Sequence, residues 1–219
     1  MRVIFFIILP ATAGLIALRT PVIQLLFERG EFDAVSTART SFVVLCYTIG
    51  LFAYSGQKII VTGFYSLQDT KTPMKVAVVS LLLNVVFNFL LMGPLKEGGL
   101  ALATSISGIF NFICLVLLFQ KRIANFPFRE ILVSSARILL ASLVTGWFSW
   151  QAFQGIYGWT VGDTTFRLLV GVFGSIGMSL LLYAGLCFLL QAPEIHDLVK
   201  WIRSSRQAKV IERVGEEPL

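Results

Sequence analysis

The sequence predicts an all-α, polytopic membrane bundle of six transmembrane helices, and three observations predict it. Of 219 residues, 56% are apolar and only 14% charged, whereas soluble domains run near a quarter charged. The apolar residues come in blocks of about twenty, the length that crosses a hydrocarbon layer roughly 30 Å thick. None of the blocks alternates strictly as barrel strands do, and a continuous apolar run suits a helix, which satisfies its backbone groups internally.

The first span runs from Val3 to about Phe27, bent at Pro10 and interrupted at Arg19-Thr20-Pro21. The second covers about 37–64, the third 74–92 and the fourth 99–119, so that 1–120 reads as one four-helix unit. A basic linker, 121–131, leads to a pair of spans within 132–190, and a tail, 191–219, mixes charge with Ile195, Leu198, Trp201 and Ile202 in the pattern of an interfacial amphipathic helix. Trp147, Trp150, Tyr157 and Trp159 surround the turn between the last two spans and read as an aromatic belt. Met1-Arg2 followed by Ala11-Thr12-Ala13 superficially resembles a secretory signal, but the apolar pattern continues past Ala13. A chain that enters an apolar block at residue 3 reads instead as the downstream part of a longer protein.

The net charge of +6 does not mark a nucleic-acid partner, because the basic residues sit in short loops. They divide unequally. Arg2, Lys71, Lys75, Lys121, Arg122, Arg129, Lys200, Arg203, Arg206, Lys209 and Arg213 fall on one side, and Arg29, Arg39, Lys96 and Arg167 on the other. The richer side is expected to be cytoplasmic and to hold both termini. Cys46, Cys114 and Cys187 lie apart within apolar blocks and read as small buried hydrophobes, while His196 stands alone in the tail. With no nucleophile elbow, phosphate-binding glycine loop or HExxH pattern, no catalytic residue and no metal site is expected.

Polar residues inside spans carry the functional signal, since each costs about 2.5 to 3.5 kcal/mol when charged and unpartnered. Lys58 lies nine residues from Leu67, roughly 13 Å along a helix. Tyr47, Tyr54, Lys58, Thr62 and Tyr65 share one helical face, which reads as the wall of a polar cavity that takes an anionic substrate; neutralisation by a carboxylate on a neighbouring helix is the alternative. Ser80, Asn84 and Asn88 on the third span face Thr104, Gly108 and Asn111 on the fourth. They read as interhelical hydrogen bonds or as oxygen ligands for a small cation. Rows of small residues at Gly99, Ala103, Ser107 and at Gly171, Ser175, Ser179 indicate close helix packing. The uncharged middles of spans five and six suit lipid or an acyl chain.

Three loop segments add a resemblance: Leu25-Leu26-Phe27-Glu28-Arg29-Gly30-Glu31-Phe32, then Gly63 through Pro73 (GFYSLQDTKTP), then Gly98-Gly99-Leu100-Ala101-Leu102-Ala103-Thr104-Ser105. The chain resembles the MviN/MurJ family of lipid II flippases over almost its whole length. The resemblance implies a two-lobe fold of fourteen helices, belonging to the multidrug/oligosaccharidyl-lipid/polysaccharide exporter superfamily, of which these would be the last six. It implies transport of undecaprenyl-pyrophosphate-linked peptidoglycan precursor across the bacterial inner membrane by alternating access, with the absent N-terminal lobe and membrane lipids as partners. Lys58, Tyr54, Tyr47 and Thr62 would line the substrate cavity, and Asn84, Asn88 and Thr104 would match a sodium site, so Na+ coupling is the one cofactor-like expectation. The last two spans would border a groove for the lipid tail. In the cytoplasmic loop, Asp69 or Thr70 would cap the third span and Pro73 would sit in its first turn. The alternatives are a flippase for another polyprenyl-linked glycan, a cation-coupled exporter of the same superfamily, or a non-transporting membrane fragment.

Overall fold

The computed structural model describes residues 2–123 and 128–189, and all their regular structure is helical: α1 (Arg2–Phe27), α2 (Ala34–Ser66), α3 (Lys71–Leu95), α4 (Glu97–Arg122), α5 (Phe128–Trp159) and α6 (Thr164–Leu189). Five of the six are long and apolar enough to cross a membrane. The exception is α5, whose 32 residues suffice in length but are diluted by Ser142, Thr145, Ser149, Gln151 and Gln154. The expected tail helix, His196 and part of the linker lie outside the described residues.

Each helix is longer than the apolar run that announced it, because the run marks only the lipid-buried portion. In α2 the extension follows from its first turn, where the Asp33 carboxylate accepts the Ser36 amide at 2.8 Å and satisfies an otherwise free donor. Thr37 adds a tie to the preceding loop, its hydroxyl donating to Glu28 at 2.7 Å. The interruption expected at Arg19-Thr20-Pro21 is absent: α1 continues through both Pro10 and Pro21. A proline removes one backbone donor, yet transmembrane helices tolerate it where packing holds the helix in line, and α1 is packed on α2, α5 and α6. Arg19 stays on its own helix, donating to the Ile16 carbonyl at 2.6 Å.

The connections are tight. At the end of α2, the Gln68 amide reaches the Tyr65 carbonyl at 3.0 Å and the Asp69 amide reaches that of Phe64 at 3.0 Å. This is a Schellman stop, with Gln68 at φ 58 where glycine is usual. Between α3 and α4 a single residue, Lys96 at φ 49, reverses the chain.

Packing follows a simple sequence: α3 on α4, α4 on α2, α2 on α1, α1 on α5, α5 on α6, with α6 returning to α1. Two three-helix halves result, α2–α3–α4 and α1–α5–α6, joined through α1 and α2. The first half is drawn close by small residues. Ser105 is fully buried and its hydroxyl donates to the Cys46 carbonyl at 2.6 Å. A β-carbon on Gly50 would lie 2.8 Å from the Ser105 backbone, and one on Gly99 would collide with the Leu91 carbonyl. Below this crossing, Ile60, Phe64, Val76, Leu115 and Phe119 form a core cluster.

Candidate functional site

Four sets of residues were singled out by sequence, and the structure places each. On α2, Tyr47, Lys58, Thr62 and Tyr65 are all exposed, on the face turned away from α4. Among the described residues Lys58 has no carboxylate partner. Tyr54 shares the stripe but turns toward α4, where its hydroxyl donates to the Thr104 carbonyl at 2.8 Å and its ring covers Gly108. With 33 residues, α2 is about 50 Å long and overshoots a core of roughly 30 Å. Its charge-free stretch, residues 40–57 between Arg39 and Lys58, spans about 27 Å. Lys58 thus ends a charge-free run nearly as long as that core is thick.

The seam between α3 and α4 brings Asn84, Asn88 and Thr104 together as neighbouring helices joined by a short turn should. The Asn84 amide donates to Ser107 at 3.1 Å and to Thr104 at 3.4 Å, and the Asn88 amide donates to the Asn84 oxygen at 3.1 Å. Thr104 and Ser107 pass their own protons back to the carbonyls of Leu100 and Ala103. Within this network the side-chain oxygens of Asn88, Asn111 and Ser80 are buried and have no partner among the described residues. Sequence reasoning had placed Ser107 only in a row of small residues; its hydroxyl, one helical turn from Thr104, was the signal of its second role.

The loop after α2 is a latch. Asp69 accepts both the amide and the hydroxyl of Thr72, at 3.0 and 2.7 Å, and pairs with Arg122 of α4 at 3.1 Å. Those hydrogen bonds from Thr72, and then the Arg122 guanidinium, hold its carboxyl below the usual carboxylate range. Asp69 thus caps α3, while Thr70 makes no side-chain cap bond. Pro73 is buried in the first turn. Arg122 as the partner was not foreseen, because the pair is 53 residues apart.

A further feature lies in the other half. A cavity of about 740 Å³ opens between α1, α5 and α6, within the range typical of ligand pockets. Its walls are Phe6, Pro10, Gly14, Leu18 and Val22 from α1, Thr145 and Ser149 from α5, and Ile176, Ser179, Leu180 and Phe188 from α6. Tyr183 closes one side, its hydroxyl donating to the Phe6 carbonyl at 2.7 Å. From Phe6 to Val22 the lining extends along sixteen residue steps of α1, about 24 Å. Sequence reasoning assigned the apolar groove to the last two spans and missed the contribution of α1; Pro10 and Gly14, four apart on one face, were its only trace. At the far end of the hairpin, Trp150, Phe153 and Tyr157 stack in series and Arg167 lies 4.3 Å over the Tyr157 ring, donating to that residue's carbonyl at 2.8 Å. Trp159 is almost wholly exposed there.

Comparison with known proteins supplies the context for this geometry. A family model described as Lipid II flippase MurJ matches residues 1–170. A probable lipid II flippase MurJ of Vibrio cholerae is 31% identical over 191 residues, covering 87% of this chain and 36% of that protein. Its counterpart from Haemophilus influenzae is 30% identical over 200 residues, covering 91% and 39%. A solved structure, the lipid II flippase MurJ in its inward closed conformation, aligns with a TM-score of 0.67 at 28% identity, covering 89% of this chain and 37% of the other. The chain thus spans little more than a third of the length of these relatives.

Proposed function

Since the chain belongs to the lipid II flippase MurJ family, we propose that it serves in translocating the undecaprenyl-pyrophosphate-linked peptidoglycan precursor across the bacterial inner membrane by alternating access. The observation that carries this reading is the groove between α1, α5 and α6. It is a largely apolar slot about 24 Å long, so a tail that fills it reaches beyond one leaflet, roughly half of a 30 Å core. A polyprenyl chain has that reach.

The headgroup is assigned to α2. Lys58 stands at one edge of the hydrocarbon beside exposed Thr62 and Tyr65, with Tyr47 on the same face toward the opposite end. A cation at headgroup level there attracts a pyrophosphate, and the open face of α2 meets the remainder of the transporter. This orientation puts Lys71, Lys75, Lys121 and Arg122 in the cytoplasm together with both termini, in keeping with the excess of lysine and arginine on that side. No covalent chemistry is assigned to any residue: the work is binding and conformational exchange. Sodium coupling is part of the proposal, with Asn84, Asn88 and Thr104 supplying neutral oxygens. The buried Asn88 oxygen that lacks a donor suits a cation of low charge, and the site would contribute affinity without a carboxylate of its own.

The test is retention of the precursor. Purified chain in phosphatidylglycerol nanodiscs is expected to hold lipid II in native mass spectrometry, and Lys58→Ala to weaken that hold. Retention no better than that of the surrounding phospholipid would remove the groove and Lys58 from the transport pathway.

A further inference from the structure

One hydroxyl that lines the groove is buried without a partner among the described residues. In α5 and α6, Ser142 donates to the Ile138 carbonyl at 2.7 Å, Thr145 to that of Ala141 at 2.8 Å, and Ser175 to that of Val172 at 2.9 Å. Each folds its proton back onto its own helix, the usual resolution for a hydroxyl in an apolar setting. Ser179 does not. It is only 7% exposed, it lines the groove, and its oxygen has no partner among the described residues. A buried hydroxyl left unpaired is costly, so an occupant that engages it gains affinity that an inert one does not.

The surroundings define what that occupant offers. Among the other groove residues, Thr145 already has its proton engaged by the Ala141 carbonyl. The rest of the wall is almost entirely hydrocarbon and aromatic, with no charged residue in it. A ligand atom that is both at home in this slot and able to accept a proton is a carbon–carbon double bond, whose π face is a weak acceptor. Saturated acyl chains have none to spare along their length, whereas an isoprenoid chain presents one in every unit.

Resting on the reading of the groove as a tail slot, we propose that Ser179 is a specificity-determining residue that selects an unsaturated polyprenyl chain over a saturated chain by donating its hydroxyl to a double bond inside the groove. The interaction is weak, so the selection is modest, about threefold.

Squalene and squalane test this directly, since they share one branched skeleton and differ only in unsaturation. Radiolabelled undecaprenyl phosphate is bound to the purified full chain in detergent and displaced by each hydrocarbon. Wild-type chain is expected to release label at about threefold lower squalene than squalane. Ser179→Ala abolishes the difference, Ser179→Thr keeps it, and Ser175→Ala, whose hydroxyl is paired within its own helix, leaves it intact. Equal displacement by the two hydrocarbons from wild type, or a preference that survives Ser179→Ala, overturns the role of Ser179 while leaving the groove as a tail site. Failure of wild-type chain to retain the label at all has a different signature: it overturns the tail slot itself, and the selection with it.

Discussion

The α2–α4 crossing and the groove wall on α1 use glycine to opposite ends. In α2–α3–α4, glycine is where the helices touch: a β-carbon on Gly50 would press on the Ser105 backbone, and one on Gly108 would lie 2.8 Å from the Tyr54 ring. In α1–α5–α6, Gly14 faces nothing within 4 Å and lines the 740 Å³ groove. Glycine and serine rows therefore signal close packing only where a backbone or a ring stands opposite. Where nothing stands opposite, as at Gly14, the same residue type opens a slot.

The largest effect is expected at the contact with least room. Gly99→Ala drives a β-carbon into the Leu91 carbonyl and should destabilise the α3–α4 hairpin by about 2 to 3 kcal/mol, read as a lowered denaturation midpoint in detergent; an unchanged midpoint would mean that the closed half has slack. Gly14→Leu should do the reverse. With open space around it, the helix gains about 0.8 to 1 kcal/mol from the better helix former, while retention of a polyprenyl phosphate falls at least about tenfold as the slot fills. A loss of stability with retention intact would invert the contrast between the halves.

Asn84→Ala removes bonds to Ser107 and Thr104 and strands Asn88. At about 0.6 kcal/mol per interhelical bond, the expected loss is near 1 kcal/mol, with no change in hydrocarbon binding to the other half. The smallest effect concerns the Asp69 latch, and its sign follows from its depressed carboxyl. Its contribution is fully present above the unfolded value near about 3.9 and fades as pH falls through the lower folded value. The wild-type denaturation midpoint should drop over that interval more steeply than that of Asp69→Asn, and parallel curves would show the latch to be silent.

Much of the fold was legible because hydrocarbon thickness imposes a length on each apolar run: every expected span corresponds to a helix. The ends were not, since Asp33, Gln68 and Lys96 set them by capping and backbone angle, which an apolar count ignores. The amide seam could be read from i, i+4 spacing on two adjacent helices, as Asn84, Asn88 and Thr104 illustrate. The groove was the least legible feature, since a void arises from three helices that are distant in sequence; Tyr183 bonds to Phe6 across 177 positions, and no local pattern announces that.

The one-residue reversal at Lys96 bears on how the protein enters the bilayer. Two asparagines in mid-helix hinder the partitioning of α3 alone, but Asn88 donates to Asn84 on the same helix, and the hydroxyls that accept from Asn84, on Thr104 and Ser107, arrive within a dozen residues of the end of α3. The hairpin can leave the insertion machinery as a closed pair, its amides already shielded, so the ease with which α3 enters lipid is decided by the segment made immediately after it.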